Sequence, residues 1–315
     1  MSFSQTTKNE ACRVADGGRD CEIAELSALI KTCGTISLNS QHNIGLRVAS
    51  ENPAIVRRAF SFIKKCFKVH PEVVVKRNRL LKKNNIYMII ITEGQGALDI
   101  LRRCGVLETR GKGIGIIRGI KQSLIKDESS RRAYIRGAFL GGGSVTNPEK
   151  TYHLEFVNHT GEHAEDLSNL INTYDLNSKV IERKNSFVVY LKEGEQIVDL
   201  LNIIGAHSSL LNLENVRIYK EMRNNVNRLV NCETANLSKT VNASVRQMEC
   251  IKLIKNTIGL RKLPPILRQV AEARLNHPDS SLKELGEMLD PPVGKSGVNH
   301  RLRKLEEIAE ELQDK

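Results

Sequence analysis

The sequence of 315 residues predicts an α+β fold in which a duplicated, pseudo-two-fold body is followed by a linker and a small all-α domain. One order of helix-like and strand-like segments occurs twice in the first two thirds of the chain. After Leu263 the strand-like alternation stops, and three short helical patterns follow. The predicted domains are a first repeat over 1–110, a hinge and second repeat over 111–220, a helical linker over 221–258 and a helix–turn–helix domain over 259–315.

The two repeats correspond segment by segment. Strand-like alternation over 45–50 and 86–91 in the first half matches that over 152–158 and 187–191 in the second. In each half a helix-like segment separates the two strand regions, and another closes the unit before a glycine. Because chance rarely preserves such an order together with the glycines, we predict a duplicated unit of helix, strand, helix, strands and helix.

Two helix-like segments rich in small residues, 26–34 and 135–143, stand at matching places in the two halves. They resemble the LAGLIDADG motif of homing endonucleases, in which the residue before the final glycine is a metal-binding Asp or Glu. Cys33 and Gly142 stand at those positions here. Residues without bulk let two helix backbones approach closely. The resemblance therefore implies a LAGLIDADG-like saddle, made of two curved sheets whose halves meet at paired helices.

The same motif residues argue against catalysis. Two-metal hydrolysis of a phosphodiester needs carboxylates at the helix ends, where they bind the divalent ions. Lys31 and Leu140 stand where the motif has its earlier acid, and Gly142 has no side chain that could bind a metal. The thiolate of Cys33 is soft and prefers zinc to magnesium. We therefore expect no catalytic residue, no metal, no cofactor and no enzymatic activity.

The positive charge is concentrated in one part of the chain. The sequence holds 48 Lys and Arg against 36 Asp and Glu, and residues 51–126 alone hold 17 against 5, which accounts for the whole net charge of +12. A concentrated basic segment favours a polyanionic partner, although a solvated basic face is the alternative. The candidate phosphate contacts are Lys64, Lys65, Lys76, Arg77, Arg79, Lys82 and Lys83.

The remaining composition narrows the class of protein. Aromatic residues make up only 4% and Trp is absent, which argues against recognition of single strands by stacking. No apolar run has the length of a membrane span or a signal peptide, so a cytoplasmic protein without membrane contact or small-molecule substrate is expected. The seven cysteines contain no Cys-x-x-Cys spacing and are expected to be free thiols.

The final helical patterns fit a helix–turn–helix. Residues 264–275 and 282–289 form the first two, with Ser280 or Ser281 as N-cap of the second, and residues 295–312 form the third. On the third helix apolar residues recur every three or four positions, while the first half of its other side is basic and polar. Such a helix can enter the major groove of double-stranded DNA, although an ordinary solvated helix would show similar charges. The candidate DNA-binding residues are Ser281, Lys283, Lys295, Ser296, Asn299, His300, Arg301, Arg303 and Lys304.

Two connecting segments are less distinctive. Residues 217–236 are polar and poor in Gly and Pro, which indicates a helix that enters a partly structured linker, and 237–256 predict another helix. The asparagines of the first segment are expected to cap helices and to pack between domains, with a nucleic acid or protein partner as the alternative. Residues 111–115 lack the spacing of a phosphate-binding loop and are expected to act as a hinge.

Three segments, 132–140, 227–236 and 294–305, are similar to the most distinctive stretches of the WhiA family of bacterial regulators. The resemblance covers nearly the whole chain. It implies a DNA-binding transcriptional regulator on promoters or the nucleoid, with roles in cell division, chromosome segregation and, in some relatives, sporulation. Two other functions are alternatives to this regulator. One is a scaffold whose saddle binds a protein such as a sigma factor or a division component, and the other is an endonuclease with relocated acids.

Overall fold

The computed structural model describes residues 1–15, 17–38, 44–77, 85–110 and 113–313. These residues form two compact units, 1–220 and 221–315. Within the described ranges no helix is both long enough and apolar enough to cross a membrane.

The first unit contains an N-terminal helix and two copies of one α+β unit. The first copy and its preceding helix comprise α1 (Phe3–Ala11), α2 (Arg19–Cys33), β1 (Gly34–Leu38), β2 (Ile44–Ser50), α3 (Pro53–Phe67), β3 (Glu72–Arg77), β4 (Asn85–Ile91) and α4 (Ala97–Arg103). A hairpin of β5 (Leu107–Arg110) and β6 (Gly113–Ile116) follows. The second copy comprises α5 (Glu128–Gly142), β7 (Gly143–Val145), β8 (Leu154–Asn158), α6 (Gly161–Asn172), β9 (Lys179–Arg183), β10 (Ser186–Leu191) and α7 (Gly194–Ile204).

The two sheets have the same topology. Their strand orders are β1-β2-β4-β3 and β7-β8-β10-β9, and all of these neighbours are antiparallel. In each copy one sheet face carries the apolar side chains that pack on the helices, as Leu46 and Ile91 do in the first and Leu154 and Leu191 in the second. The predicted duplicated, pseudo-two-fold body is thereby confirmed.

Helices α2 and α5 pack against each other along their lengths at the centre of the first unit. A Cβ atom at Gly137 would collide with the carbonyl oxygen of Glu25, and one at Gly141 with the hydroxyl of Thr32. Ala28 is fully buried at the same contact. The close approach predicted from the small residues is confirmed, because no larger side chain fits between these backbones.

The two cores interlock through these helices. Leu140 of α5 lies in the core of the first copy, whereas Ala24 and Ala28 of α2 lie in the core of the second. Each copy therefore needs the other to complete the burial of its apolar surface.

Two local expectations are corrected. Residues 113–115, expected to act as a hinge, belong to β6, where Ile114 pairs with Thr109 and Gly115 with Glu108. Residues 217–256, expected to form a helix, a partly structured linker and another helix, lie in one continuous helix, α8 (His207–Thr257). No Gly or Pro occurs between its ends, so no residue of α8 forces a break.

The second unit contains the later part of α8 and three further helices. These are α9 (Pro265–Asn276), α10 (Leu282–Glu287) and α11 (Lys295–Gln313). Their common core consists of Ile251, Ile254, Leu263, Val270, Ala271, Leu285, Leu289, Val298, Leu302, Leu305 and Ala309. The predicted all-α helix–turn–helix domain is confirmed.

Candidate nucleic-acid interface

Helix α11 divides its residues between a core side and a solvent side. Val298 and Leu302 are buried among α9 and α10, as the three- and four-residue spacing predicts. Lys295 and Arg303 are exposed on the remaining surface, and Asn299 between them is half-buried. The side chains that project from the domain on this surface are therefore basic and amide groups, which can donate to phosphates and base edges.

The structure brings four of the predicted residues together around one groove. Ser281 and Lys283 at the start of α10 and Lys295 and Asn299 at the start of α11 line it. Ser296, His300, Arg303 and Lys304 are exposed farther around α11.

Arg301 does not share this side of the helix. It is half-buried and lies roughly 160° around α11 from Asn299 and Arg303, at 3.6 residues per turn. Arg301 is therefore set apart from Asn299 and Arg303 and lies on the side of Lys304, its i+3 neighbour.

Ser281 has a structural task at the start of α10. Its hydroxyl accepts from the backbone N–H of Glu284 at 3.3 Å, and a Glu284 carboxylate oxygen accepts from the N–H of Ser281 at 2.7 Å. This reciprocal capping box satisfies two N–H groups that the short helix leaves free. The cap fixes where α10 begins, and with it the position of Lys283.

The turn between α10 and α11 depends on a glycine that no sequence motif indicates. The N–H of Val293 donates to the carbonyl oxygen of Gly286 at 2.9 Å. A Cβ atom on Gly286 would collide with the carbonyl oxygen of Val293. Gly286 therefore lets the turn pack directly on α10. This close packing sets the angle between α10 and α11.

The basic residues predicted in the first repeat are spread over different surfaces. Lys64 and Lys65 are exposed on α3, which packs on the core face of the first sheet. Lys76 pairs with Ile86 on the outward face, and the next residue, Arg77, points to the core side because side chains alternate along a strand. Arg79, Lys82 and Lys83 lie outside the described residues.

Lysine amines lie near the ends of α2 and α5, where the LAGLIDADG motif carries its acids. The amine of Lys31 donates to the carbonyl oxygen of Ile117 at 2.6 Å, and that of Lys8 donates to the carbonyl oxygen of Leu140 at 3.0 Å. Burial lowers the pKa of Lys31 to about 8 and also lowers the pKa of Lys8. Burial raises the pKa of the Cys33 thiol to about 11, which disfavours the thiolate that would bind a metal.

A buried carboxylate, for which no sequence pattern predicts a role, joins the two copies. Glu25 of α2 is ion-paired with Arg58 of α3, whose Nη2 lies 3.0 Å from Oε2, and with Arg136 of α5, whose Nε lies 2.9 Å from the same oxygen. Arg58 also donates to the carbonyl oxygens of Cys12 and Val14. Glu25 is thus held by two guanidinium groups and is not available to a metal ion. Over the described part of the chain, no three His, Cys, Asp or Glu side chains are grouped as metal ligands.

The fold and the site define a class of protein: a duplicated LAGLIDADG-like body without motif acids, joined to a helix–turn–helix domain. Three family models match the chain, the WhiA N-terminal LAGLIDADG-like domain over 19–107, the WhiA LAGLIDADG-like domain over 131–223 and the WhiA C-terminal HTH domain over 226–309. The chain belongs to the WhiA family.

Curated relatives resemble the chain over its whole length. Proteins named "Probable cell division protein WhiA" from Clostridium acetobutylicum and Clostridium beijerinckii are each 61% identical over 312 residues, which cover 99% of this chain and 98% and 99% of theirs. The crystal structure of full-length WhiA from Thermotoga maritima matches with a TM-score of 0.59 and 27% identity, covering 99% of both chains.

Proposed function

We propose that this chain is a non-enzymatic protein that binds double-stranded DNA in a sequence-preferring manner and regulates transcription. The observation that carries the proposal is the N-terminal half of α11. It presents the exposed Lys295 and Arg303 and the half-buried Asn299 outside the core in which Val298 anchors the helix.

These side chains suit duplex DNA for chemical reasons. Arginine can donate two hydrogen bonds to guanine, asparagine can pair with adenine, and lysine neutralises phosphates. The acids of α11 are confined to its second half, where Glu307 and Glu310 are exposed. A helix that enters the groove by its N-terminal half would keep these acids away from the phosphates.

The first unit is proposed to add contacts to phosphates or to a protein partner. Lys76 on the outward sheet face supports the former. The half-exposed apolar side chains of Met88 and Ile90 lie on the same face. They favour a protein partner, such as a sigma factor or a division component, on this face. This scaffold function is the second candidate.

The biological role is proposed from the family. Curated relatives are named as probable cell division proteins. A part in the cell cycle and in chromosome segregation, with a place in the cytoplasm at the nucleoid, agrees with a DNA-binding member of that family.

The test is selection of binding sites from randomised duplex DNA by the full chain. We expect an enriched sequence motif. The triple variant Lys295→Ala, Asn299→Ala, Arg303→Ala is expected to lose the enrichment while it keeps weak, salt-sensitive binding. The matched control, Glu307→Ala with Glu310→Ala, alters the same helix and is expected to enrich the same motif. If the triple variant selects the wild-type motif, α11 does not read DNA.

A further inference from the structure

A groove of about 580 Å³ lies in the second unit between α8, the loop before α10 and the first turns of α10 and α11. The apolar side chains of its lining are Leu237, Val241, Val245 and Met248 of α8 and Leu282 of α10. The loop is joined to α8, because the Ser244 hydroxyl donates to the carbonyl oxygen of Pro278 at 2.6 Å.

Two buried polar side chains of the second unit line this groove without completing their hydrogen bonds. Arg274 is only 3% exposed and Gln247 only 7%. Nη1 of Arg274 donates to the carbonyl oxygens of Pro278 at 3.3 Å and Ser280 at 2.7 Å, but its Nε has no partner among the described residues. Oε1 of Gln247 is also buried, and no donor of the described part of the chain reaches it.

Arg274 also lacks a counter-charge within the part of the chain that the structure describes. No carboxylate of the described residues forms an ion pair with it. A buried charge without an opposite charge is costly, and structures normally compensate it. Among the lining residues the cations Lys239 and Lys295 add to this charge, whereas Lys283 is ion-paired with Glu287 at 3.9 Å and Asp279 is an acid. The groove therefore attracts an anion.

We propose that this groove is the binding site of a small amphipathic anion, whose carboxylate or phosphate meets Arg274 and whose apolar part lies on Leu237 and Val241. A hydrogen-bond donor on the ligand would satisfy Gln247. The volume lies within the ~300–1,000 Å³ of small-molecule sites, which are also mainly apolar with a few placed polar groups. The apolar lining fits such a ligand better than it fits the sugar–phosphate backbone of DNA.

The site is placed to influence α11. Lys295 and Asn299 form part of its lining, so a bound ligand would contact the start of the helix proposed to read DNA. This coupling rests on the proposed function, whereas the binding itself does not.

The test is calorimetric titration of the full chain with octyl phosphate below its micelle concentration, with the uncharged 1-octanol as the comparison. We expect octyl phosphate to bind at least ~10-fold more tightly than 1-octanol, and Arg274→Met to abolish this preference. Equal binding of the two probes to the wild-type chain would overturn the proposal.

Arg274→Met could also disturb the fold, because Nη1 of Arg274 donates to two carbonyl oxygens of the loop. A second variant therefore tests the site without changing Arg274. Val241→Glu introduces an anion at a lining position that is 50% exposed, and it is expected to weaken octyl phosphate binding ~10-fold or more. The matched control, Val230→Glu, changes a residue of α8 outside the groove that is 52% exposed, and it should bind like the wild type. Unchanged binding by Val241→Glu would contradict the placement.

The two proposals fail separately. A chain that selects a DNA motif but does not prefer octyl phosphate disproves the ligand site alone. A chain that binds octyl phosphate but selects no motif disproves the DNA-reading function alone. If a short DNA duplex, but not octyl phosphate, binds in an Arg274-dependent manner, the groove receives a backbone phosphate, and the small-ligand proposal is wrong.

Discussion

At the scale of single residues, two amines determine the chemistry at the ends of α2 and α5. Lys31 and Lys8 donate to carbonyl oxygens there, and Lys8 lies beside Cys33 and Phe139. The C-terminal end of a helix attracts positive charge. In a homing endonuclease a metal bound by motif acids supplies that charge, whereas here ammonium groups do so and would repel a divalent ion.

Glu25 is expected to be essential for stability. Glu25→Gln removes the charge with little change in size and leaves Arg58 and Arg136 buried without their carboxylate. Loss of one partner from a buried ion pair typically costs about 3–5 kcal/mol. Urea unfolding of the full chain measures this change as a fall in the free energy of unfolding.

The control for Glu25 is an exposed ion pair of the same unit, Arg118 with Glu162 at 3.5 Å. Glu162→Gln is expected to change the free energy of unfolding by less than about 1 kcal/mol, because solvent screens the pair. If Glu25→Gln and Glu162→Gln lower the free energy of unfolding by similar amounts, the buried ion pairs of Glu25 do not stabilise the fold more than an exposed pair does.

His163 predicts a pH dependence of stability. It is buried, its Nε2 lies 2.9 Å from the hydroxyl of Tyr134, and burial, reinforced by Lys31 and His159, lowers its pKa from 6.5 to about 3. The unfolded chain therefore binds more protons than the folded one between these values. The stability from His163 is present above pH 6.5 and is lost as the pH falls towards 3, by up to about 1.4 kcal/mol per pH unit.

The measurement compares urea unfolding of the wild type and His163→Gln at pH 7 and pH 5. The wild type is expected to lose about 2 kcal/mol more than the variant over this range, since carboxylates titrate similarly in both. If both proteins lose the same free energy, His163 is not held neutral by its surroundings.

At the scale of the elements, strand alternation determines what each basic residue can contact. Lys76 and Arg77 are neighbours in β3, yet one lies on the outward face of the sheet and the other on the core side. Position in the sequence alone groups them in one basic segment. Only the pairing register of β3 with β4 separates them, because a shift of one residue would exchange their faces.

This separation predicts different effects on DNA binding. If the outward sheet face contacts the backbone, Lys76→Ala should lower the slope of log affinity against log salt by about 0.9, the value for one phosphate contact. The matched variant Arg77→Ala removes an equal charge on the other face and should leave the slope unchanged. Binding of the full chain to its selected duplex at several salt concentrations measures both slopes. The reverse result would place the DNA on the helical side, and no change in either would favour a protein partner.

Several elements could be predicted from local pattern, and several could not. Helix α11 could be predicted because Val298, Leu302 and Leu305 recur at the three- and four-residue spacing of a helix, which is visible in the sequence alone. The length of α8 was missed because its exposed middle has no core side to define its period. The hairpin β5–β6 was missed because Gly113 and Gly115 are typical of a loop. Their strand conformation depends on backbone pairing with Arg110 and Glu108 of β5, which a local pattern does not show.

At the scale of the whole molecule, the two copies share one LAGLIDADG-like architecture that has no acid at either motif position. The two cores exchange residues through α2 and α5, so the paired helices carry the packing of both copies. The packing role of these helices therefore does not depend on acids at the motif positions.

The whole chain is accordingly expected not to cut DNA. Supercoiled plasmid incubated with the protein and Mg²⁺ or Mn²⁺ should remain supercoiled on a gel, as it does in EDTA, since no carboxylate stands at either motif position. Metal-dependent nicking that disappears on mutation of a nearby acid such as Glu22 would contradict this expectation and would reveal relocated ligands.

The sequence by itself determined the duplication, the missing motif acids, the basic segment and the apolar side of α11, because each is a pattern of neighbours or of regular spacing. The tertiary structure decided what Glu25, Arg274 and Gln247 do. Glu25 and Arg136 are 111 residues apart in the chain, and Gln247 and Arg274 lie on different helices of one groove. Their roles depend on burial and on partners that only folding brings together, and the cost of burying charge makes those contacts decisive.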